Sequence, residues 1–129
     1  MALSFPADCR YADSHEYVRP EGDSWRLGLS AFAIDQLGDI VFVELPELGA
    51  SLSKGQSFGS VESVKAVEDL IAPVGGQVVA RNDAVLANPE ELQNDPYGEG
   101  WLLLVRPSEP AQIDGLMDAT TYSAKVDGH

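Results

Sequence analysis

The sequence predicts a mainly-β chain, a compact barrel or sandwich carrying a few short helices, and three observations lead there. Strand-like apolar segments are short and numerous, 12 glycines and 8 prolines punctuate the chain, and helical segments are brief and confined to the middle and the end. With 129 residues and no Pro/Ser-rich or repetitive stretch dividing them, residues 1–129 read as one domain. A hydrophobic share of 44% against 22% charged residues is enough for a packed core, which favours a globular chain over a disordered one.

Residues 25–29 and 40–43 are the first strands expected. Between them Ser30 suits an N-cap, residues 31–37 are mostly good helix formers, and Gly38 suits the position just past a helix end, so one short helix joins the two strands. Residues 44–49 carry loop punctuation in Pro46 and Gly49, and Lys54-Gly55 marks a turn. From Gln56 the chain alternates, with Phe58, Ser60 and Glu62 on one side and Ser57, Gly59, Val61 and Ser63 on the other, as a half-buried strand should. Residues 66–72 form a second extended segment, residues 73–76 close it, and residues 77–81 follow as another strand. Further on, Asn88 suits a helix N-cap with Pro89 at the first helical position and acids in the first turn, and residues 94–98 end that helix. Residues 101–105 are a continuous apolar run short enough for a buried strand. Asp118 is placed to cap a terminal helix through Tyr122 and Lys125, with Gly128 as its stop.

Lys65 lies midway between Gly55 and Gly75-Gly76, about ten residues from each, which puts it at the tip of a hairpin. The tip pair Val64-Lys65 breaks turn chemistry, because two-residue hairpins favour Asn-Gly or Gly-containing pairs with positive φ, and a β-branched Val suits that least. Such local conflicts are where function is expected. Lys65 is one of three lysines, with Lys54 and Lys125, and it alone sits at a predicted tip, with acids nearby at Glu62, Glu68 and Asp69. That setting suits presentation to another enzyme better than catalysis by the lysine itself. On spacing alone Lys65 also reads as an ordinary solvated turn residue.

Composition removes several classes of function. Acidic residues number 21 against 8 Lys and Arg, a formal net charge of −13, which repels nucleic acid and anionic membrane surfaces and favours partners with basic patches. Cys9 is the single cysteine, so no intramolecular disulfide can form. With His15 and His129 the only histidines and no carboxylates clustered at ligand spacing, no metal site is expected. The first residues lack the apolar core of a secretory signal and the basic amphipathic character of a transit peptide, and no apolar run is long enough to span a membrane, so a bacterial-type cytoplasmic protein, or a mature form already stripped of its presequence, is expected. No Gly-rich phosphate loop, serine nucleophile elbow or His–carboxylate constellation supports an enzyme. Trp25 and Trp101 read as core residues, and Cys9, near a mobile terminus, reads as incidental.

Glu62-Ser-Val-Lys-Ala66 resembles the lipoylation site of glycine cleavage H proteins, with Lys65 at the acceptor position and Glu62, Val64 and Ala66 in the surroundings read by a lipoylating enzyme. A biotin carrier more usually has Met on both sides of its lysine, and a 2-oxoacid dehydrogenase lipoyl domain an Asp before it. The segments Gly38-Asp-Ile-Val-Phe-Val-Glu-Leu-Pro-Glu-Leu-Gly49, Ala72-Pro-Val-Gly-Gly-Gln-Val-Val79 and Asn94-Asp-Pro-Tyr-Gly-Glu-Gly-Trp101 are similar to that family's blocks, in its order.

The resemblance implies a lipoyl-domain-like hybrid barrel-sandwich with short added helices, including one at the C-terminus. It implies lipoate attached covalently to Lys65 and a non-catalytic, swinging-arm carrier role in glycine catabolism and one-carbon metabolism. The partners implied are a pyridoxal-phosphate glycine decarboxylase, a tetrahydrofolate-dependent aminomethyltransferase, dihydrolipoyl dehydrogenase and the lipoylating enzyme. The segment Ser14-His-Glu-Tyr-Val18 matches a family segment, typically His-Glu-Trp, bordering a cleft where the loaded arm rests. Ser14, Glu16 and Asp69 are accordingly expected there, with Tyr17 in place of the Trp. Residue reading leaves Glu16 open as a solvated strand residue and His15 as a packed one. A lipoyl scaffold or relay outside glycine cleavage, and a biotin carrier, also remain open.

Overall fold

The computed structural model describes residues 5–127. Among the described residues nine strands run in the order β1 (Arg10–Tyr11), β2 (Glu16–Glu21), β3 (Ser24–Leu29), β4 (Ile40–Glu44), β5 (Ser51–Leu52), β6 (Ser57–Ser63), β7 (Val67–Ile71), β8 (Gly76–Arg81) and β9 (Leu103–Pro107). They form a six-stranded sheet, β1-β2-β3-β9-β8-β5, and a three-stranded sheet, β4-β6-β7, in which every pairing is antiparallel. One apolar cluster joins the sheets, with Leu27, Val78 and Val105 from the larger and Val43, Val61 and Leu70 from the smaller. The chain is therefore mainly β, as its punctuation predicts.

Helix α1 (Ala31–Leu37) bridges the sheets where the sequence places it. The Ser30 side chain accepts from the Ala33 N–H at 3.2 Å, and Gly38, at φ +81°, ends the helix by donating its N–H to the Ile34 carbonyl at 3.1 Å. Helix α4 (Ala119–Asp127) begins as expected, with the Asp118 carboxylate accepting from the Thr121 N–H at 2.8 Å. The stop expected at Gly128 lies outside the described residues, as does His129. A second cluster, with Cys9, Tyr11, Tyr17, Phe32, Tyr122 and Val126, packs α4 against β1, β2 and α1.

Several expectations are corrected. Asn88 ends helix α2 (Asp83–Ala87), donating its N–H to the Ala84 carbonyl at 2.8 Å, and does not side-chain-cap the next helix, α3 (Glu91–Asn94). The true cap upstream is Asn82, whose side chain accepts from Ala84 N–H and donates to the carbonyls of Glu99 and Trp101, both at 2.7 Å. Trp101 precedes the strand, which starts at Leu103, and stays half-buried beneath the Arg26 guanidinium, 5.6 Å from the ring centroid, so of the two tryptophans only Trp25 is core. The alternation expected along β6 breaks at a bulge between Ser57 and Gly59, which turns Phe58 inward together with Val61 and Ser63. Gly59 is required there, because a Cβ would lie 2.1 Å from the Glu44 carbonyl oxygen. Cys9 is fully buried in the second cluster and not on a loose end, and burial pushes its thiol up to about 11.

Candidate functional site

Strands β6 and β7 pair through Glu62 and Val67, leaving Ser63, Val64, Lys65 and Ala66 as the hairpin end. The conflict seen in the sequence is resolved by Ser63. Its N–H donates to the Ala66 carbonyl at 2.8 Å, while its hydroxyl oxygen accepts from the N–H groups of Lys65 and Ala66, each at 3.1 Å. A side-chain oxygen thus takes the acceptor role that a primed turn gives to backbone. Among the described residues His15, not Val64 or Lys65, is the non-glycine with positive φ, so the penalty expected at Val64 does not arise. The Val64 N–H donates to the Asp39 carbonyl at 3.0 Å, tying the tip to the start of β4.

The base of the tip is thereby fixed while Lys65 itself is exposed. Glu62, Glu68 and Asp69 are also exposed, and none forms an ion pair with Lys65 among the described residues. The Lys65 stem passes over Gly38, where a Cβ would stand 3.2 Å from Lys65 Cε. Gly38 follows Leu37, the last residue of α1 and part of the wall of a cleft that runs along that helix.

That cleft, of about 310 Å³, lies between α1, the β1–β2 turn and the β6–β7 hairpin. Leu29, Phe32, Ala33, Leu37, Val61 and Leu70 give it apolar walls, and Ser14, His15, Glu16, Gln36, Glu68 and Asp69 give it polar ends. The three residues expected at a cleft, Ser14, Glu16 and Asp69, therefore share one. Glu68 and the α1 residues were not foreseen. Glu68 and Asp69 are successive residues of β7 that both line the cleft, which a strand's period of two does not predict.

Glu16 is not the solvated residue that residue reading left open, being only 1% exposed. Its carboxylate accepts the Ser14 hydroxyl on one oxygen and the Ile71 N–H at 2.9 Å on the other, joining β2 of one sheet to β7 of the other. Burial pushes the carboxyl up to about 7, against the opposing pull of those two donors. His15 is packed, its ring centroid 5.1 Å from that of Phe32 and its Nδ1 2.7 Å from the Tyr122 hydroxyl, which in turn lies 2.7 Å from Ser30 Oγ. Tyr17 points to the opposite face of β2, where its hydroxyl donates to the Pro96 carbonyl at 2.8 Å. It lies outside the cleft lining.

A lysine on a rigid, exposed hairpin of a two-sheet antiparallel frame, with an apolar cleft beside it, defines a carrier domain of the lipoyl barrel-sandwich type. The family model for the glycine cleavage H-protein matches residues 9–129. The glycine cleavage system H protein of Synechococcus sp. (strain CC9902) is 70% identical over 126 residues, covering 98% of each chain. That of Prochlorococcus marinus (strain NATL2A) is 64% identical over 126 residues, with the same coverage. The crystal structure of a glycine cleavage system H protein from Mycobacterium marinum matches with a TM-score of 0.86 and 40% identity, covering 95% of this chain and 99% of that one. The chain belongs to the glycine cleavage H-protein family. No helix among the described residues is long and apolar enough to cross a membrane.

Proposed function

We propose that this chain is the lipoyl carrier of glycine cleavage, with lipoate joined by an amide to Lys65 Nζ. The observation that carries the reading is the exposed Lys65 on a tip held by the Ser63 hydroxyl. When attached, the lipoyl group supplies a dithiolane that takes up the aminomethyl unit of glycine and is later reoxidised. Its partners are then the pyridoxal-phosphate decarboxylase, the tetrahydrofolate-dependent aminomethyltransferase, dihydrolipoyl dehydrogenase and the lipoylating enzyme, for which Glu62, Val64 and Ala66 are the exposed flank of the acceptor.

The residues present fit such an arm. The walls at Phe32, Leu37, Val61 and Leu70 suit a hydrocarbon chain, and keep water from a group resting there. Glu16, Glu68 and Asp69 suit a cationic end, with Ser14 fixing one Glu16 oxygen. A positive charge in the cleft would draw the Glu16 proton off, since an adjacent cation favours the carboxylate. The protein contributes position and shelter, and the bond changes belong to the partner enzymes; tethering replaces their encounter by diffusion with a high local concentration.

A cytoplasmic location belongs to the same reading, as does folding of residues 1–129 as one cooperative unit. The test is reconstitution with the three partner enzymes, glycine, tetrahydrofolate and NAD, comparing lipoylated protein with Lys65→Arg. NADH formation that requires glycine and is absent with Lys65→Arg supports the proposal. A lipoylated protein that sustains no glycine-dependent turnover leaves the scaffold or relay role in its place.

A further inference from the structure

Large apolar side chains exposed singly on a protein surface need no explanation, but clusters of them mark interaction sites. Among the described residues five are strongly exposed, Val41, Phe42, Leu48, Val64 and Val67, at 49%, 52%, 63%, 68% and 63%. Four of the five surround Lys65. The register places Phe42, Glu62 and Val67 in one cross-strand row, directly beneath the tip that bears Val64. Val41 joins them because the pairing of β4 slips between Ile40 and Phe42, so that two successive apolar side chains, not one, face outward.

The charge around this platform has one sign. Strands β4, β6 and β7 carry Glu44, Glu62, Glu68 and Asp69 and no lysine or arginine, and exposed Asp39 leads into β4. A second copy of the chain would set these acids against themselves, at a net charge of −13 on each side. What fits is a surface with an apolar shelf rimmed by Lys and Arg. The enzyme that acylates Lys65 needs such a surface most, because it meets the bare lysine with no lipoyl group as a handle, and the small Ala66 flank offers little to grip.

Resting on the proposed lipoylation of Lys65, we infer that Val41, Phe42 and Val67 form the docking platform on which a basic-rimmed lipoylating enzyme seats this chain, with Asp39, Glu44 and Glu62 meeting its rim. Recognition is then composite, drawn from β4 as well as from the sequence flanking the lysine. The side chains are exposed, so removing them alters the platform and not the core.

The test uses a purified lipoate–protein ligase with lipoate and ATP, following initial rates against the concentration of the unmodified protein. Phe42→Ser and Val67→Ser should each raise KM by roughly tenfold, as for central interface residues, with kcat unchanged. Leu48→Ser, the exposed apolar residue off the platform, should match wild type, and added salt should raise the wild-type KM. Wild-type KM values for the folded Phe42 and Val67 variants, checked by their melting temperatures, would overturn the inference. So would a wild-type dimer that Phe42→Ser dissociates without changing KM, or a KM indifferent to salt. Failure of wild type itself to be modified would instead count against lipoylation at Lys65.

Discussion

The Glu16 carboxylate, at the start of β2, accepts the Ile71 N–H at the end of β7 at 2.9 Å, and this one buried acid spans the two sheets beside the cleft. In the folded chain its carboxyl is raised from an ordinary 4.5 to about 7, with burial the leading cause. Between those values the folded state holds more protons than the unfolded state, so this group's contribution to stability declines as pH rises from about 4.5 to 7. Gln at this position keeps an oxygen for Ile71 and an NH₂ for Ser14 without the titration. The difference in stability between Glu16→Gln and wild type should therefore grow across that window in favour of the variant, by roughly 3 kcal/mol, and level off above it. Denaturant unfolding at a series of pH values measures it.

The Ser63 hydroxyl is the acceptor for two N–H groups of the tip. Ser63→Ala leaves both to water at an exposed turn, which should lower stability by about 1 kcal/mol. Loosening the tip should also slow acylation of Lys65 several-fold, whereas Ser63→Thr should retain most of the rate. Melting temperature and initial rates of modification separate the two effects.

At Gly59 a Cβ would collide with the Glu44 carbonyl oxygen, an atom of backbone that cannot swing away. Gly59→Ala should destabilise by about 3 kcal/mol by prising β4 from β6. Hydrogen exchange should show the loss concentrated in these two strands.

Tyr122 links the C-terminal helix to both the His15 turn and the α1 cap through contacts of 2.7 Å to His15 Nδ1 and Ser30 Oγ. Tyr122→Phe keeps the ring, stacked 4.6 Å from Tyr11, and removes the hydroxyl. The expected loss is about 1–3 kcal/mol, because buried Ser30 is left short of a partner. Chemical denaturation measures it.

Elements whose ends carry local chemistry were legible in the sequence. Ser30 and Gly38 delimit α1, Asp118 starts α4, and the glycines on either side of Lys65 locate the tip. Strand β2 is hard to delimit beyond Glu16 in the sequence because Pro20 interrupts its pattern; Pro is tolerated there because β1 pairs only Tyr17 and Val18, leaving the outer edge at Pro20 free. Helix α2 is obscured in the sequence because Asn88-Pro89 is a stronger start signal a few residues after Asn82-Asp83. The bulges at Val41 and Phe58 could not be read from alternation, since each depends on how the neighbouring strand aligns. At the site, Lys65 as acceptor candidate and Ser14, Glu16 and Asp69 as cleft candidates all come from the family resemblance, while spacing alone places Lys65 only near a hairpin tip. Glu16's burial and its hold on Ile71 depend on tertiary contact across 55 positions of sequence.

The most direct measurement is intact mass with site mapping of the chain expressed beside an active lipoylating enzyme and supplied with lipoate, in wild type and Lys65→Arg. The account predicts one lipoyl group, on Lys65, in the wild type and none in the variant. A wild-type chain left unmodified, a lipoyl group on Lys54 or Lys125 instead, or biotin at Lys65 would contradict it.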